Sequence, residues 1–292
     1  MNSFSVAYKE PDQPHFEKNT KQGKLSPGKY FSYTYRGLNF YTINIKNTPA
    51  DELEVILNEC EAVEKLCWDA QENFHEYAKK RDILTYVVKE GKVVAFQIAS
   101  YWIFKNHFIF DLDETMVMKE CRGIRMALAL SAVSCRTFYL KMSNMKDVNR
   151  MTFISLTPNI RLINLLDKLR FAIRFLDTSF NPSQNLLKIH NSVLERKDAV
   201  LVHEDYPFFL KGVFPGSMKT AECSYKTSDR IKKILPPGLD LDSRGDAFLF
   251  LSSFSRIGII PVMVILLLKA LGPKIIFNRN LGIISFNKIK DI

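Results

Sequence analysis

Three carboxylates, Asp111, Asp113 and Glu114, crowd into the stretch "FIFDLDETMVM", and Arg122-Gly123-Ile124-Arg125 follows shortly after. Carboxylates can hold an ammonium group or take its proton. A glycine between arginines at a strand-to-helix junction can seat a phosphate, because the first helical N–H groups lack intrahelical partners and the helix dipole lies behind them. Gly123 would admit backbone close to such a ligand, and Arg122 and Arg125 would add mobile positive charge. Strand alternation places Asp111, Asp113, Thr115 and Val117 on one face and Leu112, Glu114, Met116 and Met118 on the other. On that pattern the aspartates and Glu114 face opposite ways, and only one set can serve a common site. The same residues also read as exposed strand positions paired with nearby lysines. Cys121 at the helix start would have a lowered pKa if reactive, but small-residue packing is the simpler reading. The other cysteines, Cys60, Cys67, Cys135 and Cys223, show no CxxC and no histidines at ligand spacing, so the sequence indicates neither a metal site nor a disulfide framework.

The elements that must hold these residues follow from periodicity. Residues 1–37, broken by "PDQP" and "SPGKY", read as a loose arm. "LNFYTINI" alternates as a strand, and Thr48-Pro49-Ala50-Asp51 starts a helix with Leu53, Ile56, Leu57, Cys60, Val63 and Cys67 on its inner face. "DAQENFHEYAKKR" continues as a second helix. "ILTYVV" and "VVAFQIASYWIF" form a hairpin around Gly91, and "FIFDLDETMVM" adds a third antiparallel strand. An alanine- and leucine-rich helix, the strand "MTFISLT" and the helix "NIRLINLLDKLRF" come next. The fold class is α+β: a mixed, mostly antiparallel sheet flanked by helices over 38–176, with a further region over 177–292. In that last region "AVLVHEDYPFFLKGVF" reads as a strand pair and "LPPGLDLDSRGD" as turns.

Val117-Met118-Lys119-Glu120-Cys121-Arg122-Gly123, followed by Ala127 and Leu130, resembles the acyl-CoA-binding signature of the GCN5-related N-acetyltransferase (GNAT) superfamily. Asn159 to Phe171 resembles the later helix of the same family, and the element order is similar to the family's. The resemblance implies an acyltransferase that takes acetyl-CoA or a longer acyl-CoA as co-substrate and passes the acyl group directly to an amine acceptor. It implies that Val117, Met118, Arg122, Gly123, Ile124, Arg125, Met126 and Ala127 bind the coenzyme, and that Asn159 caps the later helix or meets the pantetheine arm. A catalytic carboxylate would come from Glu114, Asp113 or Asp111. Lys119 and Arg125 stand where the family usually has proline and glycine, and Leu162 and Arg170 replace a common alanine and glycine. Leu166 stands where many members carry a tyrosine that protonates the departing thiolate. These departures leave open a second reading, an inactive GNAT-like binding or regulatory protein.

Charge is polarised along the chain. Residues 51–82 hold ten acids and four bases, and residues 119–174 hold eleven bases and three acids, within a net charge of +10. A site joining an anionic and a cationic ligand fits this better than uniform coating of nucleic acid, which remains the third reading. The acidic helices would draw a cationic acceptor, or else are a solvated face. The apolar run Ile257 to Leu268 is shorter than the roughly 20 residues a bilayer span needs. It reads as a buried helix and strand or, across 247–274, as a membrane-surface contact. A homodimer is a further expectation for this region. The N-terminus lacks the apolar core of a secretory signal, and with unpaired cysteines this points to the cytoplasm.

Overall fold

In a computed structural model, the structure describes residues 29–35, 37–68, 73–122, 125–159, 163, 184–214, 233, 235–241 and 244–271. Nine strands form one sheet in the order β1-β2-β3-β4-β5-β6-β9-β8-β7. They are β1 (Lys29–Tyr35), β2 (Leu38–Asn44), β3 (Ile83–Lys89), β4 (Lys92–Phe104), β5 (His107–Val117), β6 (Arg150–Thr157), β7 (Val200–Leu201), β8 (Phe209–Lys211) and β9 (Ala247–Ser255). The helices are α1 (Ala50–Cys67), α2 (Phe74–Lys79), α3 (Met126–Ser143), α4 (Gln184–Lys197) and α5 (Ile259–Leu271). All neighbouring strands are antiparallel except β5 and β6. The mixed, mostly antiparallel α+β architecture read from the sequence is therefore the one observed.

Local chemistry accounts for most elements. The β3–β4 hairpin turns on Glu90 and Gly91, both at positive φ, the backbone that a two-residue turn requires to match strand twist. On α1, Leu53, Ile56, Leu57, Cys60, Val63 and Cys67 are all buried, as their spacing predicts. Each fully buried large apolar side chain there contributes roughly 1.5–3 kcal/mol of transfer free energy. α2 is shorter than its predicted stretch and starts at Asn73, whose side chain accepts from the Glu76 amide at 3.3 Å. Residues 29–35 correct the loose-arm reading, because they pair antiparallel with β2. The alternating aromatics of "KYFSYTY" carried that strand signal, and the preceding proline and glycine obscured it.

Each sheet face has its own cover. α1 and α2 lie over β2–β4 around Leu57, Tyr86, Phe96 and Ile98, and α4 covers β6, β8 and β9 through Ile189 and Val193. On the other face α3, through Phe138, and α5 pack over Phe110, Phe153 and Phe248. A strip of buried polar side chains fixes α3: Thr85 Oγ1 lies 3.1 Å from Thr42 Oγ1 and 2.9 Å from Ser134 Oγ. Gln97 Nε2 donates to Ser131 Oγ at 3.1 Å. The hydroxyls of Thr42, Thr85, Ser131 and Ser134 and the Gln97 amide nitrogen are thereby matched across the layers, as burial favours.

The region after residue 176 extends this same sheet. β9 pairs with β6 along eight residues and carries β8 and β7 beyond it. The apolar run becomes α5, packed inward through Ile259, Met263, Leu267 and Ala270, while Ile257 and Leu268 stay exposed. Among the described residues no helix is long and apolar enough to cross a membrane. Ahead of β9, buried Asp246 ties the loop together. It accepts from the Gly212 amide at 3.0 Å, the Asp240 amide at 2.9 Å and the Arg244 guanidinium. Burial opposes its ionised form, but these donors outweigh burial and lower its pKa.

Asp246→Ala is therefore expected to destabilise the protein by roughly 1–3 kcal/mol in denaturant unfolding, the scale for leaving the Gly212 and Asp240 amides without their acceptor. The lowered pKa fixes the sign with pH. The contribution is full above the unfolded value of about 3.9 and is lost as pH falls through the folded value. The gap between wild type and variant should close in acid.

Candidate active site

The site begins with one surplus residue. Between β4 and β5 the register steps from Ile98 opposite Glu114 to Ala99 opposite Leu112, so Asp113 has no counterpart and forms a β-bulge. Before the bulge Phe108, Phe110 and Leu112 face α3 and α5. After it Thr115 faces α3 and accepts from Gln97 Nε2 at 2.7 Å. Glu114 turns to the α1–α2 side, where its charge raises the pKa of Cys60 and, with Asp113, that of Tyr77, though burial is the larger cause for both. Asp111 lies on this side too, since it meets Lys197 of α4. The expected opposition of Glu114 to the aspartates is therefore wrong: the bulge puts all three carboxylates on one face.

At the same point two strands part. β5 and β6 pair in parallel from His107 with Arg150 to Leu112 with Ser155, and no further. β5 runs on to Val117 beside β4, while β6 runs on to Thr157 beside β9. Among the described residues, β5 has a strand neighbour on one side only from Asp113 to Val117. Its other edge carries backbone donors and acceptors that no described strand satisfies, the kind of edge an extended amide-bearing ligand can join.

β5 then leads toward α3, through a single 3-10 turn at Lys119–Cys121 rather than directly. Val117 and Met118 are partly buried against the core, and the Met118 amide donates to Val94 O at 3.0 Å. α3 starts at Met126 with no side-chain cap and no acid in its first turn. For an 18-residue helix this leaves the positive N-terminal end without its usual neutralising partner. Met126 is buried and Ala127 is exposed. Gly123 and Ile124 lie outside the described residues, as do Leu162, Leu166, Arg170 and Phe171.

The two arginines do not simply point outward. Arg122 folds back, and its Nε donates to Val117 O at 2.9 Å while Nη2 lies 3.5 Å from Cys67 Sγ. Arg125 has φ of 62°, the left-handed backbone that glycine favours, and its Nη1 donates to Lys269 O at 3.0 Å in the last turn of α5. Cys121 is buried with a raised pKa, because desolvation exceeds the help from Lys89, so the packing reading holds and the reactive-thiol alternative does not. Asn159 is placed as a helix start would be, with its carbonyl accepting from the Ile163 amide at 3.1 Å.

On the carboxylate face the charges are paired. Lys197 Nζ sits 2.7 Å from Asp111 Oδ2 and 3.2 Å from Asp113 Oδ1. Arg81 Nε lies 3.1 Å from Asp113 Oδ2, which also accepts from Ser100 Oγ at 2.8 Å. Burial, then the neighbouring Asp113 charge, pushes Asp111 up to about 6 against the pull of Lys197. Arg81 stacks 4.3 Å over the Tyr77 ring. Asp111 and Asp113 are thus ion-pair members with nearly covered side chains, and Glu114 is half-buried beside them. Tyr77, Arg81 and Lys197 were absent from the sequence reading. Tyr77 and Arg81 share a helical i, i+4 spacing that hints at one face, but nothing in "LERKD" ties Lys197 to a strand so distant in sequence. Among the described residues no cluster of three His, Cys, Asp or Glu side chains could hold a metal ion.

No protein-family model and no curated protein matches the sequence. Solved structures to which the chain is similar include several acetyltransferases. One is a GNAT-family acetyltransferase from Streptococcus pneumoniae, at 10% identity and TM-score 0.35, covering 74% of this chain and 99% of that one. Another is an IAA acetyltransferase from Bacillus cereus, at 13% identity and TM-score 0.32, covering 45% and 75%. A third is an aminoglycoside acetyltransferase from an uncultured soil metagenomic sample in complex with sisomicin, at 11% identity and TM-score 0.32, covering 46% and 86%. Similarity at this level assigns neither substrate nor activity, so these rest on the chain's own residues.

The left-handed backbone at Arg125 can be tested directly. Arg125→Ala loses the α5 hydrogen bond and keeps the unfavourable φ, whereas Arg125→Gly loses the bond but relieves the backbone. Arg125→Gly is expected to be more stable than Arg125→Ala by about 1 kcal/mol in denaturant unfolding, the cost of left-handed backbone for a residue with a Cβ.

Proposed function

We propose that the protein is an acyl-CoA-dependent N-acyltransferase that moves an acetyl or longer acyl group from coenzyme A to an amine by direct transfer. The observation that carries this reading is the parting of β5 from β6 at the Asp113 bulge. Among the described residues it opens a strand edge with no strand partner, between an uncapped helix start and a face of carboxylates. The pantetheine amides would pair with the edge from Asp113 to Val117, and the pyrophosphate would lie on the first-turn amides of α3 around Ala127. Arg122 and Arg125 flank that position, each one hydrogen-bond exchange away from a phosphate.

Chemically, an ammonium acceptor must lose two protons overall. Glu114 takes one, the nitrogen attacks the thioester carbonyl carbon, the C–N bond forms and the C–S bond breaks. The thiolate leaves and is neutralised by the second proton, giving an amide and free coenzyme A thiol. Unpaired backbone donors near the bulge would polarise the carbonyl. With Leu166 in place of the family's tyrosine, Tyr77 is the phenol on the carboxylate face that could deliver the second proton.

One observation favours the second reading, a CoA-binding protein without transfer: both arginines are held by internal contacts and both aspartates are buried in ion pairs.

Acetyl-CoA or a longer acyl-CoA should raise the melting temperature, and Ala127→Glu should abolish that rise. A carboxylate in the first turn helps the helix itself by about 0.3–1 kcal/mol, so the variant should be no less stable without ligand. Free thiol release with a panel of primary amines then separates the two readings. The absence of any shift with every acyl-CoA would overturn both, and a shift without thiol release would leave the binding protein.

A further inference from the structure

The acceptor amine has a visible candidate seat, and this inference rests on the transferase reading. Lys197 places its ammonium between Asp111 and Asp113 at the point where β5 leaves β6. The two carboxylates come to one place only because of the bulge. Asp113 is saturated by Lys197, Arg81 and Ser100. Asp111 is not: its Oδ2 accepts from Lys197, but its Oδ1 is buried with no hydrogen-bond partner. Only 3% of Asp111 is exposed, so the idle oxygen represents a real cost. An ammonium has three donors, and Lys197 directs two of them to these carboxylates. A primary ammonium entering without the constraint of a helix could meet all three acceptors, Asp111 Oδ1, Asp111 Oδ2 and Asp113 Oδ1.

We propose that Asp111 and Asp113 form the subsite for a primary ammonium acceptor, and that Lys197 occupies it as an internal stand-in which the acceptor displaces. Three features make Lys197 displaceable. It is the last residue of α4, so its release needs only the final turn to fray. The chain reverses immediately after it through Asp198, whose φ of 47° is left-handed without being glycine. The Lys197 side chain is 19% exposed against 4% for Asp111, which leaves a solvent path to the ammonium from the helix end. The seat lies on the same face as Glu114 and next to the parted strands, where the thioester carbonyl would be offered. Arg81 on Asp113 keeps the pair from carrying two uncompensated charges while the amines exchange.

The alternative is that Lys197 is a permanent staple between α4 and β5. Lys197→Ala separates the two. It leaves the carboxylates facing Arg81 alone, so the variant should melt at lower temperature than wild type. If the pair is an ammonium seat, propylammonium should restore the melting temperature in a concentration-dependent way, while propanol and tetramethylammonium should not. Rescue that propanol matches, or none in a folded variant, would overturn the subsite. Should Lys197→Ala fail to fold, Lys197→Met keeps the apolar stem and is read by the same rescue with methylammonium.

Displacement has its own readout. With acetyl-CoA saturating, KM for propylamine should fall about tenfold or more in Lys197→Ala, because self-occupancy lowers apparent affinity by the vacant fraction. An unchanged KM would overturn the stand-in. Failure of acyl-CoA to bind wild type would instead remove the transferase reading, and ammonium rescue would still decide the subsite on its own.

Discussion

The single surplus residue in β5 is the constraint on which the rest of the structure depends. A strand cannot gain a residue and keep both neighbours in register, so β5 holds its pairing with β4 through the bulge and gives up β6. One event thus opens the sheet, reverses the facing of the residues beyond it and brings Glu114 to the side of Asp111 and Asp113. Without the extra residue, Glu114 would point into the polar strip beneath α3. The gap, the carboxylate face and the approach to α3 are three consequences of the same local mismatch.

The buried charges follow from this arrangement and are balanced within it. Two aspartates inside a protein would carry a large desolvation penalty alone, and the ammonium of Lys197 and the guanidinium of Arg81 offset it. Such a group gives little net stability, because each ion was already well solvated in the unfolded chain. Its effect is instead to fix geometry: the turn between α2 and β3, through Arg81, and the end of α4, through Lys197, are both tied to β5 where the strands part. The phosphate end is organised differently, by what is missing from it. α3 has neither a capping side chain nor a first-turn acid, and its neighbouring arginines each donate to a backbone carbonyl.

Much of the scaffold was legible in the sequence because its elements are locally encoded. α1 could be read from its six inward residues, the β3–β4 hairpin from Gly91, and β9 with α5 from the apolar run that contains them. β1 was not, since an edge strand of alternating aromatics behind proline and glycine looks like an irregular arm. The facing of Glu114 could not be read, because strand alternation assumes two residues per repeat and a bulge leaves no mark in composition. Lys197 and Arg81 were equally hidden: ion pairs between distant segments depend on register and helix position, which no local pattern carries. For Cys121 the packing reading holds, since its environment is set by burial and not by its place at a helix start.

The pairing of β9 with β6 has a bearing on how the chain reaches this state. During synthesis β6 emerges and can join β5 long before β9 exists, and until then its second edge is a free template rich in apolar residues, Met151, Phe153, Ile154 and Leu156 among them. Closing so long a loop is slow relative to forming the hairpins upstream, so the nascent molecule spends time with an adhesive border. The late strand therefore acts as a lid on that border. A chain interrupted before residue 247 would keep its N-terminal hairpins and lose its solubility.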